Sequence, residues 1–308
     1  MSPESDNSGW IVGWDIGGAH LKVALADGNG RVHRVETHYT PLWQGLEHLD
    51  AALGQALAWL PDALHRVTMT AELVDLFDDR AQGVAALSAR LAARLPSGRL
   101  RIYAGPDGFV SPERAAEHAD RIASANWQAT ASLVARRLSH ALLVDVGSTT
   151  TDIIPIVDAD VRARGYSDRE RLATQELVYT GVVRTSVMSL THRVPLAGDW
   201  IELAAEHFAT MADVYRLTAE LPPNADLGDT ADGREKTEQA SAVRLARMVG
   251  DDAGRHEPGV WRGIARYLRE CQLTRIGQAL ARQCSLGLAE DAPLVGAGVG
   301  RFLVQRAA

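Results

Sequence analysis

The sequence predicts an α/β fold of two lobes, and three observations support this. The chain has 308 residues, more than the roughly 100–200 residues of a typical single domain. An apolar run ends in an Asp-x-Gly turn at Asp15, and the same pattern returns at Asp145, 130 residues later. Hydrophobic residues make up 46% and charged residues 23% of the chain, the balance of a globular protein. We interpret the repeated pattern as a structural duplication.

The first half is predicted to alternate strands and helices. An apolar strand over residues 10–14 leads to Asp15, and the sequence Asp27-Gly-Asn-Gly30 favours a hairpin turn. Residues 10–40 are therefore predicted to form three antiparallel strands. Periodicity and turn residues place the remaining elements as helices over 45–60, 72–80, 83–95, 112–124 and 126–138, and strands over 67–70 and 100–104. Residues 1–9 are predicted to be a disordered tail, and residues 10–130 the first lobe.

The second lobe is predicted to span residues 131–308 and to begin like the first. Strands over 141–144 and 153–157 enclose the second Asp-x-Gly turn. Further elements are predicted as short strands near 161–164 and 176–183, helices over 199–219 and 261–285, and a strand, glycine turn and last helix over 293–306. Residues 221–258 are rich in proline, glycine and charge, which predicts a charged loop excursion.

Composition excludes several classes of function. The net charge of −7 disfavours binding of nucleic acid through a basic face. No run of about 18 apolar residues predicts a membrane span, and the polar, acidic start predicts no signal peptide. The two cysteines, Cys271 and Cys284, form no Cys-x-x-Cys pair, so a thiolate zinc site is not expected. We expect a cytoplasmic protein with a small-molecule substrate; a homo-oligomer is left open.

The first turn, Asp15-Ile-Gly-Gly-Ala-His-Leu-Lys22, is a candidate phosphate site. Gly17 and Gly18 allow backbone N–H groups to approach an anion closely. A carboxylate at a strand end can hold Mg²⁺ through water, because Mg²⁺ prefers oxygen ligands and keeps several waters. Lys22 adds positive charge nearby. The alternative is an ordinary hairpin in which Asp15 is a turn residue.

The second turn, Asp145-Val-Gly-Ser-Thr-Thr-Thr-Asp152, is richer in donors. It supplies a carboxylate, a glycine and a run of hydroxyl groups, which together suit a polyphosphate. The phosphate-binding candidates here are Gly147, Ser148, Thr149 and Thr150. The alternative is a Ser/Thr turn that bonds its own backbone. Two such turns facing each other across a central cleft would hold a phosphate chain and its metal ion.

A third glycine turn, Gly296-Ala-Gly-Val-Gly300, stands between the last strand and the last helix. Gly296 and Gly298 are candidates for contact with an anion or a flat ring. The three turns, in this order, resemble the phosphate and adenosine motifs of the sugar kinase, heat-shock ATPase and actin superfamily. That resemblance implies the two-lobed actin-like ATPase fold, a duplicated ribonuclease H-like fold with a mixed sheet in each lobe.

Other segments resemble more closely the hydantoinase/oxoprolinase-like branch of that superfamily. The segments that carry this resemblance are 145–152, Tyr179-Thr-Gly-Val-Val-Arg184, Met69-Thr-Ala-Glu-Leu-Val-Asp75, Ser124-Ala-Asn-Trp127 and Asp229-Thr-Ala-Asp-Gly-Arg-Glu-Lys236. Together with the chain length they resemble one subgroup, which is linked to tetrahydromethanopterin-dependent one-carbon metabolism. Its archaeal members are methanofuran-biosynthesis enzymes that form an aryl ether.

This resemblance implies a transferase reaction in methanofuran or methylofuran biosynthesis. The phenol of γ-glutamyltyramine would displace diphosphate from an aminomethylfuran-methyl diphosphate, with Mg²⁺ held through Asp15 and Asp145. The first turn has Ala19-His20 where sugar kinases commonly carry Thr or Ser after the glycines. The alternatives are an ATP-dependent kinase or hydantoinase/oxoprolinase-type ATPase, which would bind ATP or ADP, and a non-catalytic nucleotide sensor or actin-type assembly protein.

The remaining candidates follow from position in the chain. The phenol needs a base, because its pKa is about 10, and Glu72 and Asp75 are candidates whose alternative is a helix N-terminus. His20 is a candidate proton shuttle or a structural histidine. Residues expected to line the substrate side are Asn126, Thr180, Gly181 and Arg184, the last as a partner for carboxylates or diphosphate. Residues 226–236 are either a lid or a solvated loop.

Overall fold

The computed structural model describes residues 9–96, 98–289 and 291–307. The predicted tail over 1–9 therefore lies, apart from Gly9, outside the described residues. The chain divides into two compact units, the first ending at Thr130 and the second beginning at Ala131. Within the described ranges, no helix combines the length and apolar character needed to cross a membrane.

The first unit is built on one mixed sheet of six strands. These strands are β1 (Trp10–Ile16), β2 (His20–Asp27), β3 (Val32–Tyr39), β4 (Leu64–Met69), β5 (Leu100–Tyr103) and β6 (Phe109–Val110). Their order is β3-β2-β1-β4-β5-β6. β1 runs antiparallel to β2 and parallel to β4, and β2 runs antiparallel to β3. The three antiparallel strands predicted at the start of the chain are confirmed.

Helices connect and follow these strands in the chain. They are α1 (Glu47–Leu57), α2 (Arg80–Arg94), α3 (Ala119–Ile122) and α4 (Asn126–Ala135), with 3-10 turns at Ala71–Leu73 and Pro112–His118. The predicted helix over 72–80 is wrong, since only the short turn at its start is helical. Its aspartates explain this, because Asp favours caps over helix interiors: the Asp79 side chain accepts the N–H of Gln82 and begins α2.

The second unit repeats the central arrangement of the first. Its strands are β7 (Ala141–Val146), β8 (Thr151–Val157), β9 (Asp160–Val161), β10 (Leu177–Val178), β11 (Arg193–Leu196), β12 (Asp199–Glu202) and β13 (Leu294–Ala297). The main sheet has the order β10-β8-β7-β13, and β9 also pairs with β8. β7 runs antiparallel to β8 and parallel to β13, as β1 does to β2 and β4. The predicted α/β, duplicated ribonuclease H-like fold of actin-like ATPases is confirmed.

Helices α5 (Asp168–Thr174), α6 (Met211–Leu217), α7 (Glu238–Met248), α8 (Pro258–Cys284) and α9 (Val304–Ala307) complete the second unit. The predicted helix over 199–219 is wrong in its first half, which begins with β12, the second strand of a hairpin with β11. Both loop residues have positive φ, 53° at Ala197 and 96° at Gly198. A two-residue loop of that conformation matches the twist of a hairpin and ends any helix.

The charged excursion predicted over 221–258 is wrong over α7. Leu245 and Met248 on this helix are fully buried and belong to the hydrophobic core of the second unit. The helix begins at Thr237, whose side chain accepts the N–H of Ala240. The apolar stripe of α7 is narrow. Because arginines stand between its apolar residues, the helical periodicity is not evident in the sequence.

Ion pairs attach the segment before α7 to the same unit. Arg244 is fully buried, and its Nε donates to Asp213 at 2.8 Å while its other guanidinium nitrogens bond Asp213 and Asp232. Asp226 pairs with Arg216 at 2.7 Å. Burial opposes the charge of Arg244, yet Asp213 and Asp232 together hold its pKa above the usual value. Asp226 and Asp232 of the predicted lid, residues 226–236, are thus bonded to arginines within the unit.

Replacing Arg244 by leucine is expected to lower the free energy of unfolding by about 2 kcal/mol or more, because buried Asp213 would lose the nearer of its two arginine partners and keep only Arg216 at 3.3 Å. The matched control is Arg262→Leu, whose side chain is 42% exposed and lies 4.0 Å from Glu238; such a pair contributes about 0–1 kcal/mol. Urea denaturation followed by circular dichroism measures both. Equal, small losses for the two variants would contradict the buried network.

Candidate active site

The two Asp-x-Gly turns have the same backbone geometry. In the first, the Gly17 N–H donates to the carbonyl of His20 at 2.9 Å; in the second, the Gly147 N–H donates to the carbonyl of Thr150 at 2.8 Å. Each bond closes the hairpin between a central strand and its antiparallel neighbour. The duplication inferred from the sequence is therefore present in the hydrogen bonding of the turns.

A second pair of bonds fixes the end of each central strand. The Thr70 N–H donates to the carbonyl of Ile16 at 2.9 Å, and the Gly300 N–H donates to that of Val146 at 2.8 Å. Both donors follow the parallel neighbour, β4 or β13. Each turn aspartate consequently lies between a hairpin turn and a second loop that is bonded to the same strand.

Asp15 lies in a polar group on the first sheet. Its Oδ2 accepts Lys22 Nζ at 2.8 Å, and the Thr68 hydroxyl lies 3.5 Å from its Oδ1. The strand register places Asp15 directly between Lys22 on β2 and Thr68 on β4. Because Trp14 and Ile16 are buried in the core, strand alternation puts Asp15 on the opposite face of the sheet.

The second turn is held from behind by the loop that follows β10. The N–H of Val182 donates to the carbonyl of Gly147 at 3.1 Å, and those of Val183 and Arg184 donate to the carbonyl of Ser148 at 3.0 and 2.9 Å. Because these carbonyl oxygens are bonded within the protein, the turn is suited to offer donors to a ligand. The Ser148 and Thr149 hydroxyls lie 3.4 Å apart on it.

Gly181 is required for this close approach. A Cβ at Gly181 would collide with the Thr149 backbone nitrogen and with the Ser148 carbonyl. The preceding residue, Thr180, is fully buried, and its carbonyl accepts the hydroxyl of Thr151 at 2.7 Å. Thr180 and Gly181, predicted as substrate-lining residues, therefore support the turn, and any contact of theirs with a ligand stays a prediction.

Gln272 of α8 is an unpredicted support for the same loop. Its Nε2 donates to the Thr180 hydroxyl at 2.7 Å and to the Gly181 carbonyl at 2.9 Å, while its Oε1 accepts the Tyr215 hydroxyl. Burial raises the pKa of Tyr215 far above its usual value, so this hydroxyl is a donor. The sequence held a signal: a glutamine stands in the apolar i, i+4 stripe between Leu268 and Ile276.

The third glycine turn packs against Asp145. Gly298 has φ +77°, and a Cβ there would collide with the Asp145 carboxylate and the Val146 carbonyl. Only glycine fits such an approach at positive φ. Gly296, by contrast, packs against the Val304 side chain, 3.3 Å from where its Cβ would lie. The structure thus brings the second and third predicted turns together within one unit.

Asp152 is a second carboxylate that the predictions omitted. It lies directly opposite Asp145 in the β7–β8 register, and like charges in that position destabilise a sheet. Arg171, only 2% exposed, pairs with Asp152 at 2.7 Å and offsets this repulsion. The Arg171 guanidinium also donates to the Glu176 carbonyl. No local motif indicates this partner, because Arg171 comes from α5.

The other predicted residues differ in burial and in their hydrogen bonds. Glu72 is 1% exposed and accepts the Ser124 hydroxyl at 3.0 Å, whereas Asp75 is exposed. Asn126 begins α4, and its side chain accepts the N–H of Trp127 at 2.8 Å. Arg184 is exposed on the loop behind the second turn. The functional roles of these residues stay predictions.

Comparison with known proteins identifies the family. Residues 64–308 match the family model described as Hydantoinase/oxoprolinase. The chain belongs to the hydantoinase/oxoprolinase family. The branch resemblance drawn from the sequence is confirmed.

This hydantoinase/oxoprolinase-family chain has two similar curated relatives with one name, "(4-{4-[2-(gamma-L-glutamylamino)ethyl]phenoxymethyl}furan-2-yl)methanamine synthase". The protein of Methanocaldococcus jannaschii is 33% identical over 248 residues, 79% of this chain and 72% of that protein. The protein of Methanococcus vannielii is 34% identical over 113 residues, 37% of this chain and 50% of that protein. A glucokinase structure from Streptomyces griseus, 16% identical, covers 97% of this chain and 87% of its own with a TM-score of 0.45.

The oxygen ligands in this family member suit a Mg²⁺ ion that is bound partly by the protein and partly by a phosphorylated ligand. Among the described residues, no three His, Cys, Asp or Glu side chains are grouped as a metal cage. Each unit instead offers one turn carboxylate, Asp15 or Asp145. Mg²⁺ is commonly bound by one or two carboxylates with waters and substrate phosphates. The residues therefore fit a Mg²⁺ that arrives with a phosphorylated ligand.

Gln272→Leu is expected to weaken binding of inorganic diphosphate about tenfold, because the support behind the second turn loses its hydrogen bonds. Isothermal titration calorimetry with Mg²⁺ measures the Kd. The control is Gln283→Leu on the same helix: Gln283 is fully buried, and its Nε2 donates to the Thr174 carbonyl at 2.8 Å. If both variants bound diphosphate like the unmodified protein, Gln272 would not position the turn.

Proposed function

We propose that the chain catalyses formation of the aryl ether named in its relatives, by a diphosphate-releasing transfer. The phenol oxygen of γ-glutamyltyramine attacks the methylene carbon of an aminomethylfuran-methyl diphosphate. The new bond joins that oxygen to the methylene carbon, the carbon–oxygen bond to diphosphate breaks, and the phenolic proton leaves. The match to the Methanocaldococcus jannaschii synthase, 33% identical over 79% of the chain, supports this product class in methanofuran or methylofuran biosynthesis.

The construction of the second turn is the observation that carries the proposal. Negative charge grows on the departing diphosphate, so catalysis requires donors that are already in place. In the Gly147–Thr150 turn, the carbonyls of Gly147 and Ser148 accept the N–H groups of residues 182–184 from behind. This arrangement fixes the turn before any ligand arrives, and its N–H groups and hydroxyls suit a leaving diphosphate.

The first turn contributes fixed charge. Lys22 Nζ lies 2.8 Å from Asp15 Oδ2, and the Lys22 side chain is 53% exposed. It can therefore reach a diphosphate oxygen while it stays near its carboxylate partner. We propose the turn carboxylates, Asp15 of the first unit and Asp145 of the second, as the candidate groups for Mg²⁺, which would neutralise charge on the diphosphate when bound.

The attacking phenol must lose its proton, because its pKa of about 10 keeps it neutral near pH 7. Of the two predicted bases, Glu72 is buried and bonded to Ser124, and Asp75 is exposed. We propose Asp75 as the more accessible acceptor. Glu72 instead has a positioning role: its hydrogen bond from the Ser124 hydroxyl holds the segment that follows β4.

A second candidate is an ATP-dependent kinase or hydantoinase/oxoprolinase-type ATPase. The packing of the Gly298 turn against Asp145 favours it, since this turn resembles the superfamily's adenosine motif. The two candidates differ in their products. The synthase releases diphosphate and consumes no nucleotide, whereas the ATPase releases ADP.

We expect one diphosphate per ether formed, without added nucleotide, when the protein is incubated with Mg²⁺ and the two substrates. Mass spectrometry follows both products.

Asp145→Asn should lower kcat/KM about 100-fold or more, because charge stabilisation at the leaving group is lost. The control is Asp199→Asn, at an exposed acid on the β11–β12 hairpin, which should leave turnover unchanged. Ether formation that requires ATP would refute the synthase.

A further inference from the structure

Three aromatic rings form a row beside the first turn. His20 ends the turn, and its ring centroid lies 5.9 Å from that of Tyr39, its direct cross-strand partner on β3. The Tyr39 ring lies 6.4 Å from that of Trp43, in an edge-on arrangement. Trp43 is 36% exposed. The row thus starts at the turn and ends at the surface of the first unit.

The row and the Asp15–Lys22 pair occupy the same face of the sheet. On β2, Leu21 and Val23 are buried in the core, so His20 and Lys22 point to the opposite face. Tyr39 shares this face, because it is directly opposite His20. Diagonal neighbours on a sheet face are about 7–8 Å apart, within reach of aromatic and long side chains. One small ligand can therefore touch both groups.

The backbone fixes the row to the turn. The Thr40 N–H donates to the Ala19 carbonyl at 2.9 Å, and the Leu42 N–H donates to the Gly18 carbonyl at 3.0 Å. Leu42 is also fully buried. The segment that carries Tyr39 and Trp43 is consequently attached to the turn on both sides of Pro41. Such rings are in place before a ligand binds, which lowers the entropic cost of binding.

We propose that this row binds the furan ring of the diphosphate substrate and stabilises positive charge on its methylene carbon. The inference rests on the proposed function. When diphosphate leaves with the electron pair of the carbon–oxygen bond, the methylene carbon and the conjugated furan become positive. Aromatic faces carry negative charge density and attract such a cation. The furan, not the phenol, fits here, because only the furan is one carbon away from the diphosphate that Lys22 can reach.

The exposure of Trp43 distinguishes it from a core tryptophan. Trp14 on β1 is 2% exposed, and its indole N–H donates to His65 at 3.1 Å, as expected for a structural residue. Trp43 keeps over a third of its surface accessible although it follows the buried Leu42. A ring held by its neighbours yet open on one side is suited to a ligand.

The test compares ring-removing with ring-keeping variants: Tyr39→Leu and Trp43→Leu against Tyr39→Phe and Trp43→Phe. Calorimetry with the aminomethylfuran-methyl alcohol, which cannot react, measures furan binding. We expect the leucine variants to raise this Kd about tenfold and to lower kcat about tenfold, and the phenylalanine variants to stay close to the unmodified protein. The Kd of inorganic diphosphate should not change in any of them.

Trp200→Leu is the matched control. Trp200 is 52% exposed on β12 and packs edge-on against Tyr267, so its loss should leave the furan Kd unchanged. Equal furan Kd values for the leucine variants and the unmodified protein would overturn the inference. So would a parallel loss of diphosphate binding, since the rings would then only hold the turn. Absence of turnover in the unmodified protein would refute the proposed function, while the alcohol Kd would still decide the role of the rings.

Discussion

The hydrogen bond from a glycine N–H to the carbonyl three residues later is the constraint on which the structure depends. It closes the hairpin after β1 at Gly17 and after β7 at Gly147. β1 ends at Ile16 and β7 at Val146, each one residue after its aspartate. The hydrogen bond therefore sets the position of Asp15 and of Asp145. The surrounding loops then bond to the same strand ends, so that each unit presents one carboxylate beside a glycine turn.

The two units use this shared geometry differently. The first places Lys22 beside its aspartate and adds the row of His20, Tyr39 and Trp43 on the same sheet face. The second surrounds its turn with backbone donors and supports it through Gln272. The same strand-and-turn arrangement thus carries aromatic and charged side chains in the first unit and a turn supported from behind in the second.

Local sequence signals predicted the central strands of both units, the glycine turns and the duplication, because strand ends and glycine turns depend on neighbouring residues. They failed where a tertiary partner decides the structure. The start of the helix predicted over 199–219 is instead strand β12, which pairs with β11 across the loop at Ala197 and Gly198. The arginines of α7 hide its apolar stripe in the sequence. The Arg171 partner of Asp152 comes from another element. The sequence showed Gln272 as a polar residue in an apolar stripe, but it did not show which residues Gln272 bonds.

The central claim is that diphosphate leaves from the furan methylene carbon and that the phenol supplies the ether oxygen. A substrate with a heavy-oxygen label at the atom that joins the methylene carbon to diphosphate tests this directly. Mass spectrometry of both products should find the label in the released diphosphate and none in the ether. Label retained in the ether would contradict the account, because that oxygen would then never have left the furan carbon.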